Sequence, residues 1–122
     1  MAAALLSTER LVALTQTIVR IDSQTGREHA FAEWLASFLS DLGLGVTKLP
    51  VEEAGDTIVG VLEGNNPGPT MMLNFHLDTF DVFDGWVTDP FDPVLSADAS
   101  RLVGLGAHDM SVHTFVLPCI GY

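Results

Sequence analysis

At 122 residues, 48% of them hydrophobic, the chain is one domain in size and has enough apolar material for a core. Its 5 Lys and Arg against 16 Asp and Glu leave a net charge of −11. This argues against nucleic acid and anionic membrane as partners, since both need clustered basic side chains. The single Cys119 excludes an intrachain disulfide, which suits a reducing compartment. The N-terminal MAAALLSTER lacks the basic segment and the long apolar run of a signal peptide or membrane span, so a cytoplasmic location is expected.

Ser7 or Thr8 can cap a first helix whose apolar positions Leu11, Leu14, Ile18 and Val19 recur at helical spacing. Asp22-Ser23-Gln24-Thr25-Gly26 reads as a break. A second helix is expected from about Arg27 to Leu42, with Phe31, Leu35, Phe38 and Leu42 as its buried stripe and Gly43 at a left-handed C-terminal cap. Val46 to Val51 reads as a strand that Pro50 confines to an edge or ends, and Thr57 to Leu62 as a second strand. Dense turn signals fill residues 63–69. Thr70 to Phe75, apolar on both faces, reads as a strand covered on both sides, with His76 at its C-terminal end. From Asp78 to Ser100 the chain reads mainly as loop, with turns at Asp84-Gly85, Asp89-Pro90 and Asp92-Pro93. A short strand around Leu102-Val103 leads to Gly104-Leu105-Gly106. Two helices followed by several strands predict an α/β layer structure lacking some of its covering helices.

The chemistry-bearing residues are His76, Asp78 and Asp109. Extended His76-Leu77-Asp78 presents an imidazole and a carboxylate on one face, the usual arrangement of a metal-binding histidine and the acid that orients it. Asp109, 33 residues beyond His76 (109 − 76), offers two oxygens, as bridging two cations requires. Gly104 and Gly106 let the backbone turn closely enough to aim it. On spacing alone, His76 also fits a hydrogen-bonded structural residue and Asp109 a helix cap. His29 is expected on a solvated helix face, Glu52-Glu53 in a solvated turn, and Trp86 and Phe91 in loop packing. Cys119 has no neighbouring base to activate it, and nothing around His113 marks it as a ligand.

The block GPTMMLNFHLDTFDVFDGWVTDPFDPVLSADASRLVGLGAHDM, residues 68–110, resembles the zinc-dependent metallopeptidase and deacylase family of acetylornithine deacetylase, succinyl-diaminopimelate desuccinylase, aminoacylase and glutamate carboxypeptidase. The shared pattern is an apolar strand, His76-x-Asp78, Gly85-Trp86, Asp89-Pro90-Phe91, and Gly104-x-Gly106-x-x-Asp109-Met110. The segment LVALTQTIVRIDSQTG is similar to the family's N-terminal start.

The resemblance implies that His76 binds the first of two Zn2+ ions, that Asp78 takes the catalytic-site role of orienting His76, and that Asp109 bridges both ions. It also implies a cis peptide after Asp109 and Co2+ as a substitute metal. The fold it implies is α/β: the N-terminal part of a mixed-sheet, helix-flanked zinc-peptidase catalytic domain, truncated, over residues 1–110, with a divergent tail over 111–122. Three departures accompany it. Phe75 stands where the family often has Gly and is expected to narrow the site, and Leu105 replaces a frequent Arg. Met110 is followed by Ser111-Val112-His113 rather than by Lys-Gly-Gly. The family's Glu-Glu pair, a further acidic ligand, a final His and the lid or dimerisation domain have no counterpart in these 122 residues. So abrupt a departure fits a changed reading frame, an alternative exon or an incomplete gene model.

The implied function is hydrolysis of amide bonds in peptides or N-acyl amino acids, a small-molecule substrate class, with this chain alone inactive. Homo-oligomerisation is left open for the full-length form. The competing expectation is a truncated, non-catalytic binding module that pairs with another subunit, because missing strands and helices leave apolar surface uncovered.

Overall fold

The Ser7 hydroxyl oxygen accepts a hydrogen bond from the backbone N–H of Arg10 at 3.1 Å, and this cap opens helix α1, Thr8–Val19. The structure, a computed structural model, describes residues 7–52 and 55–109. Helix α2 spans His29–Asp41. It ends in a Schellman motif: Gly43 takes φ +85°, its N–H bonds the Ser40 carbonyl at 2.9 Å, and the Leu44 N–H bonds that of Leu39 at 3.1 Å. The expected helical stripe is largely buried, with Phe31 and Leu35 in the core and Phe38 packed against it. Leu42 is instead 40% exposed, because it is the cap residue and has already left the inward-facing row.

Strands β1, Gly45–Leu49, and β2, Thr57–Val61, form an antiparallel pair with Thr47 opposite Val59, and α2 packs on them. The strand expected from Val46 stops before Pro50, which cannot donate to a ladder. Lys48 on β1 reaches Glu33 on α2 at 2.6 Å. A second antiparallel pair, β3 (Val94–Leu95) with β4 (Leu102–Val103), lies beyond it in the chain. Strand β4 matches the expected short strand, whereas β3 falls in a stretch expected to be loop. Among the described residues the fold is thus a small α/β arrangement of two helices and two two-stranded antiparallel sheets.

Residues 70–75 are a correction to the expected buried strand. They form no ladder, and Met71, Met72 and Leu73 are 77%, 81% and 49% exposed. A strand exists only beside a neighbour about 4.8 Å away. Here a cleft of about 300 Å³ separates this segment from β2, lined by Thr57, Ile58, Leu73, Asn74 and Phe75.

The core is centred on Ile18, Phe31 and Leu35, with Leu11, Leu14, Trp34 and Phe38 around it. Trp34 stacks on Phe38, ring centroids 5.1 Å apart, and tilts against Phe31 at 5.8 Å. Phe75 and Leu77 also pack against this cluster. Phe75 therefore packs on the core, and Leu105 is itself buried. No helix among the described residues is long and apolar enough to cross a membrane.

Candidate functional site

Two connections carry the site. The first is the break between α1 and α2, which pairs with the chain just after His76. Gln24 and Thr79 form a parallel bridge, with Thr79 N–H donating to the Ser23 carbonyl at 2.9 Å and Thr25 N–H to the Thr79 carbonyl at 3.1 Å. Gln24, buried, extends this clamp: its Oε1 accepts from Val82 N–H at 2.8 Å and its Nε2 donates to Asp22 Oδ1 at 2.9 Å. That amide is the largest cause holding the Asp22 carboxyl below the usual aspartate range, and the Arg27 guanidinium lowers it further.

The second connection is the pair of turns from Gly104 to Asp109. Ala107 N–H donates to the Gly104 carbonyl at 3.2 Å and Asp109 N–H to that of Gly106 at 2.9 Å. Gly106 lies at φ +72°, so the chain reverses where a residue with a Cβ is strained. Leu105 N–H bonds the Pro90 carbonyl at 2.8 Å, which ties these turns to the Asp89-Pro90 turn. Phe91 N–H in turn bonds Asp89 Oδ1 at 2.9 Å. Trp86 and Phe91 are half-buried, in keeping with loop packing, and His29 is exposed.

These connections bring His76, Asp78 and Asp109 together. His76 Nε2 lies 3.3 Å from Asp109 Oδ1. On the other edge of the ring, His76 Nδ1 lies 3.2 Å from Asp78 Oδ1 and 2.9 Å from the Asp78 carbonyl oxygen. In the tautomer with the proton on Nδ1, that N–H donates to Asp78 and the Nε2 lone pair faces Asp109. Asp78 is held from behind as well: Thr25 Oγ1 donates to its Oδ2 at 2.9 Å. Nothing in the residues around position 25 signals this contact, which spans 53 positions of sequence. All three site side chains are partly exposed, so a small ligand can reach them.

The distances test the pair as metal ligands. Two ligands each ~2.1 Å from a tetrahedral ion lie roughly 3.4 Å apart. The separation of 3.3 Å between Nε2 and the Asp109 oxygen suits two corners of such a sphere. Among the described residues, however, no group of three His, Cys, Asp or Glu side chains is placed to hold an ion. The pair fits, and the full set is not assembled among them. The peptide after Asp109, His113, Cys119 and Glu53 lie outside the described residues.

The chain is similar to several known proteins. The chain is 33% identical over 103 residues to the cysteinylglycine-S-conjugate dipeptidase of Corynebacterium striatum, covering 79% of this chain and 22% of that protein. It is 28% identical over 109 residues to the N-formyl-4-amino-5-aminomethyl-2-methylpyrimidine deformylase of Bacillus subtilis, covering 84% and 25%. It is 39% identical over 77 residues to the acetylornithine deacetylase of Edwardsiella ictaluri, covering 62% and 20%. No family model and no solved structure matches it. The chain spans only 20–25% of the length of these curated relatives. Over that partial region it is related to the hydrolase family of peptidases and deacylases to which acetylornithine deacetylase belongs.

Proposed function

We propose that this chain is the N-terminal portion of the catalytic domain of a zinc-dependent amidohydrolase, acting on a peptide or an N-acyl amino acid. The observation that carries the reading is the His76 imidazole, held at Nδ1 by Asp78 and facing Asp109 at 3.3 Å across Nε2. The names of the relatives (dipeptidase, deformylase, deacetylase) support a scissile bond between an acyl carbon and nitrogen. In this reading His76, through Nε2, and the Asp109 carboxylate would hold the metal. Asp78 would orient the ring, its carbonyl oxygen 2.9 Å and its carboxylate 3.2 Å from Nδ1. When bound, zinc or cobalt supplies Lewis-acid polarisation of the carbonyl.

Catalytic zinc sites use about three protein ligands plus an open position. Among the described residues His76 and Asp109 are two, so this chain on its own is expected to show no turnover. Purified protein given zinc or cobalt should release acetate from N-acetylated amino acids no faster than a His76→Ala control. Hydrolysis well above that control would overturn the expectation of inactivity.

A second reading, a non-catalytic module that pairs with another subunit, is favoured by one observation. Met71, Met72, Phe80 and Val87 are 77%, 81%, 80% and 96% exposed, more large apolar surface than an isolated domain usually leaves bare. It predicts elution from size exclusion ahead of a 13.1 kDa monomer. A clean monomer with cooperative unfolding would count against it.

A further inference from the structure

We propose that the cleft between β2 and residues 70–75 is a strand position, and that the chain's own residues 112–117 dock there. This does not rest on the metal-site reading above. Among the described residues β2 pairs only with β1, so its other edge has no ladder partner, and residues 70–75 form no ladder at all. Helix α2 underlies both walls. Strands β1 and β2 rest on it, and Phe75 and Leu77 touch the cluster that holds Leu35, which also lines the cleft. Two extended segments on one helix, with a gap between them, make a helix-covered sheet one strand short. A strand laid in the gap offers backbone N–H and C=O groups to both walls at once.

The tether and the composition select the occupant. Asp109 stands at one end of the cleft, its carboxylate 3.3 Å from His76, which lines that end. Chain leaving Asp109 enters the cleft without a linker. It starts at the C-terminal end of residues 70–75 and so runs antiparallel to them. Residues 110–122 lie outside the described residues. Their sequence carries Val112, Thr114 and Val116 on one face of an extended chain, and Phe115 and Leu117 on the other. A strand apolar on both faces suits a covered position. Pro118, which cannot donate to a ladder, ends it. Six extended residues span about 20 Å, the length of the six-residue wall opposite. The cleft is also lined by Glu28, Asp56 and Asp78, and 111–122 contain no Asp or Glu to be repelled by them.

The single Cys119 supplies the probe. Antiparallel pairing that begins at His76 carries residue 119 past Thr70, so a nitroxide on Cys119 of the 122-residue chain should sit beside the start of the 70–75 segment. It should quench the amide resonances of Met71 and Met72 far more than those of Leu77 and Asp78 at the other end. Nitroxide-labelled chain mixed with unlabelled ¹⁵N chain should quench neither pair, because the strand comes from the same molecule. Phe115→Asp should abolish the gradient and, without the label, lower the urea midpoint. Quenching that is absent or equal at the two ends overturns the proposal. Quenching in the mixture overturns it too and makes a second copy the occupant. An unmoved urea midpoint in Phe115→Asp likewise overturns it, since a strand in a sheet cannot lose its aromatic without cost. The label experiment on the otherwise unaltered chain decides the matter even where Phe115→Asp does not fold.

Discussion

Phe31→Ala is expected to cost about 3–5 kcal/mol of stability, the range for emptying a buried aromatic site. Phe31 is 1% exposed and is the largest fully buried side chain among the described residues. It joins both halves of the fold. On one side it meets Trp34 at 5.8 Å and belongs to the cluster with Ile18 and Leu35. On the other it shares the lining of a small cavity with Thr79, Leu105 and Gly106, the residues that lead into the site. Domains are stable by only about 5–15 kcal/mol. The large apolar surface left exposed here points to the lower end of that range. The substitution is therefore expected to remove most of the cooperative transition. Urea unfolding followed by the fluorescence of Trp34, stacked in the same cluster, measures this directly. A midpoint equal to that of the wild type would show that the core is not where the structure places it.

The helices were legible because their signals are local. Ser7, the apolar row on α1 and Gly43 each act within a turn or two, and each does what its chemistry dictates. The proximity of the three candidate side chains was legible for a different reason. His76 and Asp78 are two residues apart, and two glycines announce the approach of Asp109, so motif and placement coincide. What failed was the inference from an apolar run to a strand. Residues 70–75 carry the composition of a buried strand, but a ladder belongs to two segments, and one segment cannot report whether its neighbour is present. Strands β3 and β4, two residues each, are too short to show a period. The break from Asp22 to Gly26 hid the most information. Its small polar residues read as punctuation, yet Gln24 and Thr25 bond residues 78, 79 and 82, contacts that local pattern does not encode. Loops carry such long-range contacts without any periodic signal in their sequence.

Gly106→Ala is expected to damage the site more than any change confined to helix surfaces. Gly43→Ala separates the two contributions. Both glycines have positive φ, +85° at Gly43 and +72° at Gly106, so an alanine at either pays a backbone penalty of roughly 1–2 kcal/mol. At Gly43 an added Cβ meets nothing within 4 Å, and the penalty ends there. At Gly106 it would lie 2.8 Å from Thr79 Cγ2, closer than two carbons can sit. The Thr79 backbone is pinned on both sides by its bonds to Ser23 and Thr25, so the clash is relieved either by turning the Thr79 side chain or by shifting the turn that carries Asp109, and the shift is the expected outcome. The Asp109 N–H bonds the carbonyl of Gly106 itself, and a shift there passes directly to the carboxylate facing His76 at 3.3 Å. Gly106→Ala should therefore lower the urea midpoint further than Gly43→Ala does. It alone should move the His76 ring resonances towards those of Asp109→Ala. Equal losses of stability, with His76 unmoved in both variants, would mean that the turn absorbs the methyl group without disturbing Asp109, and that the glycine serves the chain reversal and not the site.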